Sequence, residues 1–138
     1  MEDYFMKSYE LRALTPNLMV DDVEKTVKFY TKVLGFQVVM TVPDQKTQKL
    51  NWALLNHGPV NIMFQKRESL IEEYSSLIES SIGKGLTVFI QVADIEFLYE
   101  TLQDQATIIK DLMVTFYGMK EFAIADCNGY ILTFAQQQ

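Results

Sequence analysis

The chain reads as an α+β protein built from two tandem βαβββ modules. Three observations predict this. Val20-Asp21-Asp22-Val23-Glu24 returns as Val92-Ala93-Asp94-Ile95-Glu96, 72 residues later. Each copy stands between an apolar strand-like run and a stretch with helical periodicity. Trp52-Ala53-Leu54 returns as Phe122-Ala123-Ile124, and Phe64 as Phe134, at an offset of 70. The shared order and near-constant offset mark a duplicated unit.

The elements follow in order. Leu14 to Val20 is an apolar run ending at Asp21-Asp22, either of which can cap a helix by accepting from its free N–H groups. In that helix Val23, Val27, Tyr30 and Leu34 recur on one face, and Gly35 stops it. Strands are predicted at 36–42, 50–56 and 60–65, the last two around the turn His57-Gly58-Pro59. Residues 67–80 read as a second amphipathic helix, with Leu70, Ile71, Tyr74, Leu77 and Ile78 as its apolar stripe. Ser81 to Gly85 is a hinge. The second copy has Ile95, Leu98, Tyr99 and Leu102 on its helix, then strands near 107–114, 119–126 and 130–136. The chain therefore divides into a tail (1–13), a first module (14–66), a connecting helix and hinge (67–84) and a second module (85–138), within one structural domain.

Composition sets bounds. With 138 residues, 49% hydrophobic and 22% charged, the chain can bury a full core, which excludes a disordered or disulfide-stapled scaffold. Cys127 is the only cysteine, so neither an internal disulfide nor an all-cysteine metal site can form. No apolar run approaches the roughly 20 residues of a membrane span. The first residues carry no basic stretch followed by an apolar one, so the cytoplasm is the expected location. A net charge of −6, with lysines and arginines scattered among acidic residues, argues against nucleic acid.

Asn17-Leu18-Met19-Val20-Asp21-Asp22-Val23, Phe29-Tyr30 and Val33-Leu34-Gly35-Phe36 resemble the glyoxalase / bleomycin-resistance / extradiol dioxygenase superfamily, the vicinal oxygen chelate proteins. So do Phe116-Tyr117-Gly118-Met119-Lys120-Glu121-Phe122 and Asp126-Cys127-Asn128-Gly129-Tyr130, where Cys127 replaces the usual proline of the closing turn. The likeness spans about residues 12–136. It implies curled mixed sheets forming a cleft, and a homodimer whose subunits often complete one another's clefts. Metal-using members take histidine or glutamate from the first and closing strands of each module. Those positions map here onto Thr15, Met63, Thr87 and Thr133, and a one-residue slip in register restores no ligand. Neutral hydroxyls and thioethers hold divalent ions weakly. The expectation is no metal and no other cofactor.

Strand alternation from those positions assigns Asn17, Met19, Asn61, Met63, Gln65, Thr87, Phe89, Gln91, Ile131, Thr133 and Ala135 to the concave face. Such a surface suits a ligand held by stacking and a few hydrogen bonds; alternatively it is core with its amides satisfied internally. Trp52 and Phe122, taken as equivalent, either wall the cleft or pack under the helices. Tyr117 is a ligand donor or a surface loop residue. Glu121 is a general base in a desolvating pocket or an outward ion-pairing residue. His57 reads as a solvated turn residue, and Cys127, beside Asp126, as a poor nucleophile. No phosphate-cradling glycine motif or nucleophile elbow occurs.

The function expected is metal-free small-molecule binding, as in antibiotic sequestration. The alternative is a glyoxalase-like lyase or isomerase, or a dioxygenase relative, on a small substrate. A third reading is an interaction module whose apolar surface mediates assembly. The partners expected are a small-molecule ligand and a second copy, contacting through helix 67–80 and a tail bearing Tyr4, Phe5 and Tyr9, with no nucleic acid or membrane.

Overall fold

The computed structural model describes residues 8–138. Tyr4 and Phe5 lie outside them, and Tyr9 is exposed. The first module comprises β1 (Asn17–Val20), α1 (Val23–Lys32), β2 (Gln37–Pro43), β3 (Leu50–His57) and β4 (Val60–Lys66). A short α2 (Arg67–Glu73) and a 3₁₀ turn at Ser75–Leu77 lead to β5 (Thr87–Gln91), α3 (Ile95–Leu102), β6 (Thr107–Val114), β7 (Met119–Ala125) and β8 (Ile131–Gln137). The strands form two four-stranded sheets, β1-β4-β3-β2 and β5-β8-β7-β6. In each, the first strand runs parallel to the last and the other pairs are antiparallel. The fold is the predicted α+β one, with mixed sheets that curl without closing. Among the described residues no helix is long and apolar enough to cross a membrane.

The two helix starts are built differently. Asp22 caps α1 as predicted, its Oδ1 accepting from Lys25 N at 3.0 Å. Asp94 occupies the equivalent place but is left-handed (φ 55, ψ 50) and makes no side-chain cap bond. There Ile95 N donates instead to Oε1 of Gln136, reaching over from β8, at 2.9 Å.

Two element boundaries depart from expectation. The β1 ladder begins at Asn17, and Leu14 is exposed, because Pro16 has no N–H to extend the ladder. The predicted helix 67–80 ends at Glu73, where Tyr74 turns extended (φ −132, ψ 91). Of its apolar stripe only Leu70 is buried, while Tyr74 and Ile78 face solvent. Without a surface to pack against, the second turn has little to sustain it.

The modules meet through their helix-covered faces. Leu18, Val20, Leu55 and Phe64 on one sheet and Phe122, Ile124, Leu132 and Phe134 on the other belong to a single buried cluster with Tyr30 and Leu102. Three polar bonds cross the seam. Tyr30 Oη donates to Asp126 Oδ2 at 2.6 Å, Asn128 Nδ2 to Thr26 Oγ1 at 3.0 Å, and Tyr130 Oη to the Met19 carbonyl at 2.6 Å. The β7–β8 turn needs no proline: Asp126 Oδ1 accepts from Asn128 N (2.8 Å) and Tyr130 N (2.9 Å). Gly83 lies against this turn, and a Cβ on it would stand 2.3 Å from the Asn128 carbonyl.

Candidate functional site

With the helix-covered faces turned inward, both concave faces point outward. On the first module, register pairs Met19 with Gln65 and Gln65 with Trp52, while Asn17 pairs with Met63 and Met63 with Leu54. Asn61 and Asn56 continue the same face, and Asn17 and Asn61 are exposed. Met63 and Trp52 are half-buried, and Met19 is buried. Gln65 organises one end. Its Oε1 accepts from Asn17 Nδ2 at 2.8 Å, and its Nε2 donates to Ser69 Oγ (3.0 Å) and Glu73 Oε1 (3.2 Å) on α2.

On the second module Thr87, Phe89 and Gln91 are exposed along β5. Phe89 pairs with Thr133 and Thr133 with Ala123; Gln91 pairs with Ala135 and Ala135 with Glu121. Glu121 is only 2% exposed. Tyr117 Oη donates to its Oε2 at 2.6 Å, so the structure joins the two candidates proposed for chemistry. That bond to a carboxylate raises the Tyr117 phenol above its ordinary range.

Register also corrects one assignment. Phe122 pairs with Phe134, as Ala53 does with Phe64, and these lie on the helix-covered faces. Phe122 is fully buried, stacked edge-on to Tyr99 at 5.1 Å. It therefore does not wall the cleft. The position equivalent to Trp52 is Glu121, since Trp52 pairs with Gln65 of β4 and Glu121 with the corresponding Ala135 of β8. A one-residue difference between modules flips a strand's side chains to the other face, so the offset of 70 misplaced Phe122.

Two further charged groups touch these faces, Lys110 through its pairing with Ala123 and Glu73 through Gln65, while Cys127 and His57 lie elsewhere. Burial, and secondarily Asp126, pushes the Cys127 thiol up, which disfavours a nucleophilic thiolate. His57 stacks edge-on to Phe36 at 5.6 Å on the helix side of the hairpin. Sequence reasoning did not foresee that it lines a cavity of about 490 Å³ at the module seam with Phe36, Ile90 and Phe134. No single-strand pattern could have revealed it, since both modules contribute walls.

The architecture agrees with the comparisons. Residues 12–134 match the family model of the Glyoxalase/Bleomycin resistance protein/Dioxygenase superfamily. The chain belongs to this superfamily. A glyoxalase-related enzyme from Clostridium phytofermentans is similar at TM-score 0.75 and 18% identity, over 96% of this chain and 100% of that one. A glyoxalase/bleomycin resistance protein/dioxygenase from Nocardioides gives 0.75 and 18%, over 97% and 90%. TioX from Micromonospora sp. ML1 gives 0.72 and 19%, over 92% and 99%. No curated protein matches the chain in sequence.

The metal used by many members of the superfamily does not fit these residues. The mapped positions hold three threonine hydroxyls and a thioether, Thr15, Thr87, Thr133 and Met63. Among the described residues no group of three or more histidine, cysteine, aspartate or glutamate side chains is gathered to hold an ion. Glu121 stands alone as a carboxylate at its place on the concave face, with a phenol rather than an imidazole beside it. Such a donor set can anchor a cation or exchange a proton, but gives no multidentate cage for a hard ion.

Proposed function

We propose that this superfamily member is a small-molecule binding protein that works without a metal, its ligand an amphipathic cation seated on a concave face. The observation carrying this reading is the Tyr117–Glu121 pair, a buried carboxylate that accepts from a phenol at 2.6 Å, with the exposed Lys110 of β6 further along the same face. A buried carboxylate among aromatic and amide side chains favours a cationic partner, and the net charge of −6 draws cations at long range. Phe89 on the same face offers a flat surface for the ligand's apolar body, and Trp52 offers one on the first module's face.

A second copy completes the site. Met40 and Val42 beside the first concave face and Met113 beside the second are 45–56% exposed, an apolar rim that a lone chain leaves wet. Antibiotic sequestration of the bleomycin-resistance kind needs only such a cleft.

The test is thermal melting against amphipathic ammonium compounds and their neutral and anionic isosteres. Cations raise the wild-type Tm, and Glu121→Gln loses most of that increment while melting normally when free. A panel that shifts nothing, or shifts Glu121→Gln equally, overturns the reading. The alternative, lyase or isomerase chemistry by proton transfer through the same pair, is established instead if glutathione hemithioacetal turnover survives repurification.

A further inference from the structure

We propose that the cavity at the module seam is a second binding site, separate from the concave faces, for a small hydrophobic ammonium ion. It is about 490 Å³, within the size range of small-molecule pockets. Leu34, Phe36 and Val60 of the first module face Ile90, Leu98 and Phe134 of the second across it. Water in such a space finds few hydrogen-bonding partners, and the walls lack dispersion contacts on one side until something apolar fills it.

The polar end of the ligand is set by Asp94, the one carboxylate among the lining residues. Duplication shows that this carboxylate is not engaged in the task its place in the fold suggests. In the first module the equivalent Asp22 caps α1. In the second, Gln136 caps Ile95 N, and Asp94 makes no cap bond from its left-handed backbone. Its charge remains at the mouth of an apolar cavity whose other titratable lining group is His57. An apolar body with one ammonium matches both features. A carboxylate ligand would meet Asp94 directly.

The probe is 2-phenylethylammonium, with 2-phenylethanol and phenylacetate as isosteres, titrated into ¹⁵N-labelled full-length protein. Saturable amide shifts are expected around Gly58, Ala93 and Phe97, with the ammonium binding roughly threefold to tenfold tighter than the alcohol and the acid weakest. Asp94→Asn erases the preference for ammonium over alcohol while the shifts stay at the seam. Ala93→Phe, which projects a ring from an exposed loop position into the cavity, abolishes binding of both. Shifts at the seam persist in Glu121→Gln while any ammonium-induced shifts at the concave faces are lost, which separates failure here from failure of the concave-face reading. Shifts confined to the concave faces, no saturation at millimolar probe, or an undiminished ammonium preference in Asp94→Asn overturns the proposal.

Discussion

Tyr30 on α1 donates a 2.6 Å hydrogen bond to Asp126, 96 residues on, and both side chains are buried at the seam of the two modules. The carboxylate also accepts from two backbone amides of its own turn, so one side chain shapes the β7–β8 hairpin and fastens it to the first module. Tyr30→Phe removes a donor from a buried acceptor and should lower stability by about 1–3 kcal/mol. Urea denaturation followed by circular dichroism measures this.

The same carboxylate sets a pH dependence. Burial raises the Asp126 carboxyl above its ordinary range, while the Tyr30 phenol and the turn amides pull it partly back. A folded value above the unfolded one gives a contribution to stability that is present below the unfolded value and lost as pH rises through the folded one. Asp126→Asn lacks this loss, so wild type should decline relative to it as pH rises from about 3 to about 7. Parallel denaturant midpoints across that range check the sign.

Gly83 and Gly85 separate a clash from backbone strain. Both have positive φ, +84 and +89, but a Cβ on Gly83 meets the Asn128 carbonyl at 2.3 Å, whereas one on Gly85 meets nothing within 4 Å. Gly85→Ala should cost about 1 kcal/mol and Gly83→Ala about 2 kcal/mol more. Thermal melting of the two variants decides it, and equal losses would mean that the hinge does not press on the turn.

The Tyr117 phenol should titrate above ordinary tyrosine because it donates to the Glu121 carboxylate. Glu121→Gln replaces that charge with a neutral amide and should bring the phenol back down. Phenolate absorbance against pH, with Tyr117→Phe subtracted to isolate this residue, reads the shift directly.

The exposed apolar rim predicts self-association through the concave faces. Met40→Lys combined with Met113→Lys places charge on both modules at exposed positions and should leave each chain folded but monomeric. Sedimentation velocity of wild type and the double variant measures this. A monomeric wild type would remove the second copy from the site.

Much of the fold was legible because each βαβββ unit carries its own periodicities, and the repeated Val-x-Asp landmark marked the two units as equivalent. Which residues share a sheet face was legible wherever alternation could be counted from that landmark, as for Asn17 with Met63 and Phe89 with Thr133. It failed at Phe122, where the span from β7 to the closing strand is one residue longer than its counterpart in the first module, and parity inverts the face. It also failed at Tyr74, whose helical spacing is genuine but whose stripe finds no neighbour to cover it. The seam cavity and the Tyr30–Asp126 bond were illegible for another reason. They join residues from different modules, and nothing local records which surfaces will meet.

The exchange of caps between the modules has a consequence for biosynthesis. α1 is capped by its own preceding residue, and β1 finds its parallel partner by Lys66, so every strand of the first sheet is available once residue 66 has emerged from the ribosome. α3 awaits Gln136 and β5 awaits β8, both supplied by the final residues of the second module. The second sheet can therefore be completed only after residue 137 has emerged, when every strand of the first sheet is already available, and a chain cut short before residue 131 would lose β8 and the cap of α3 together.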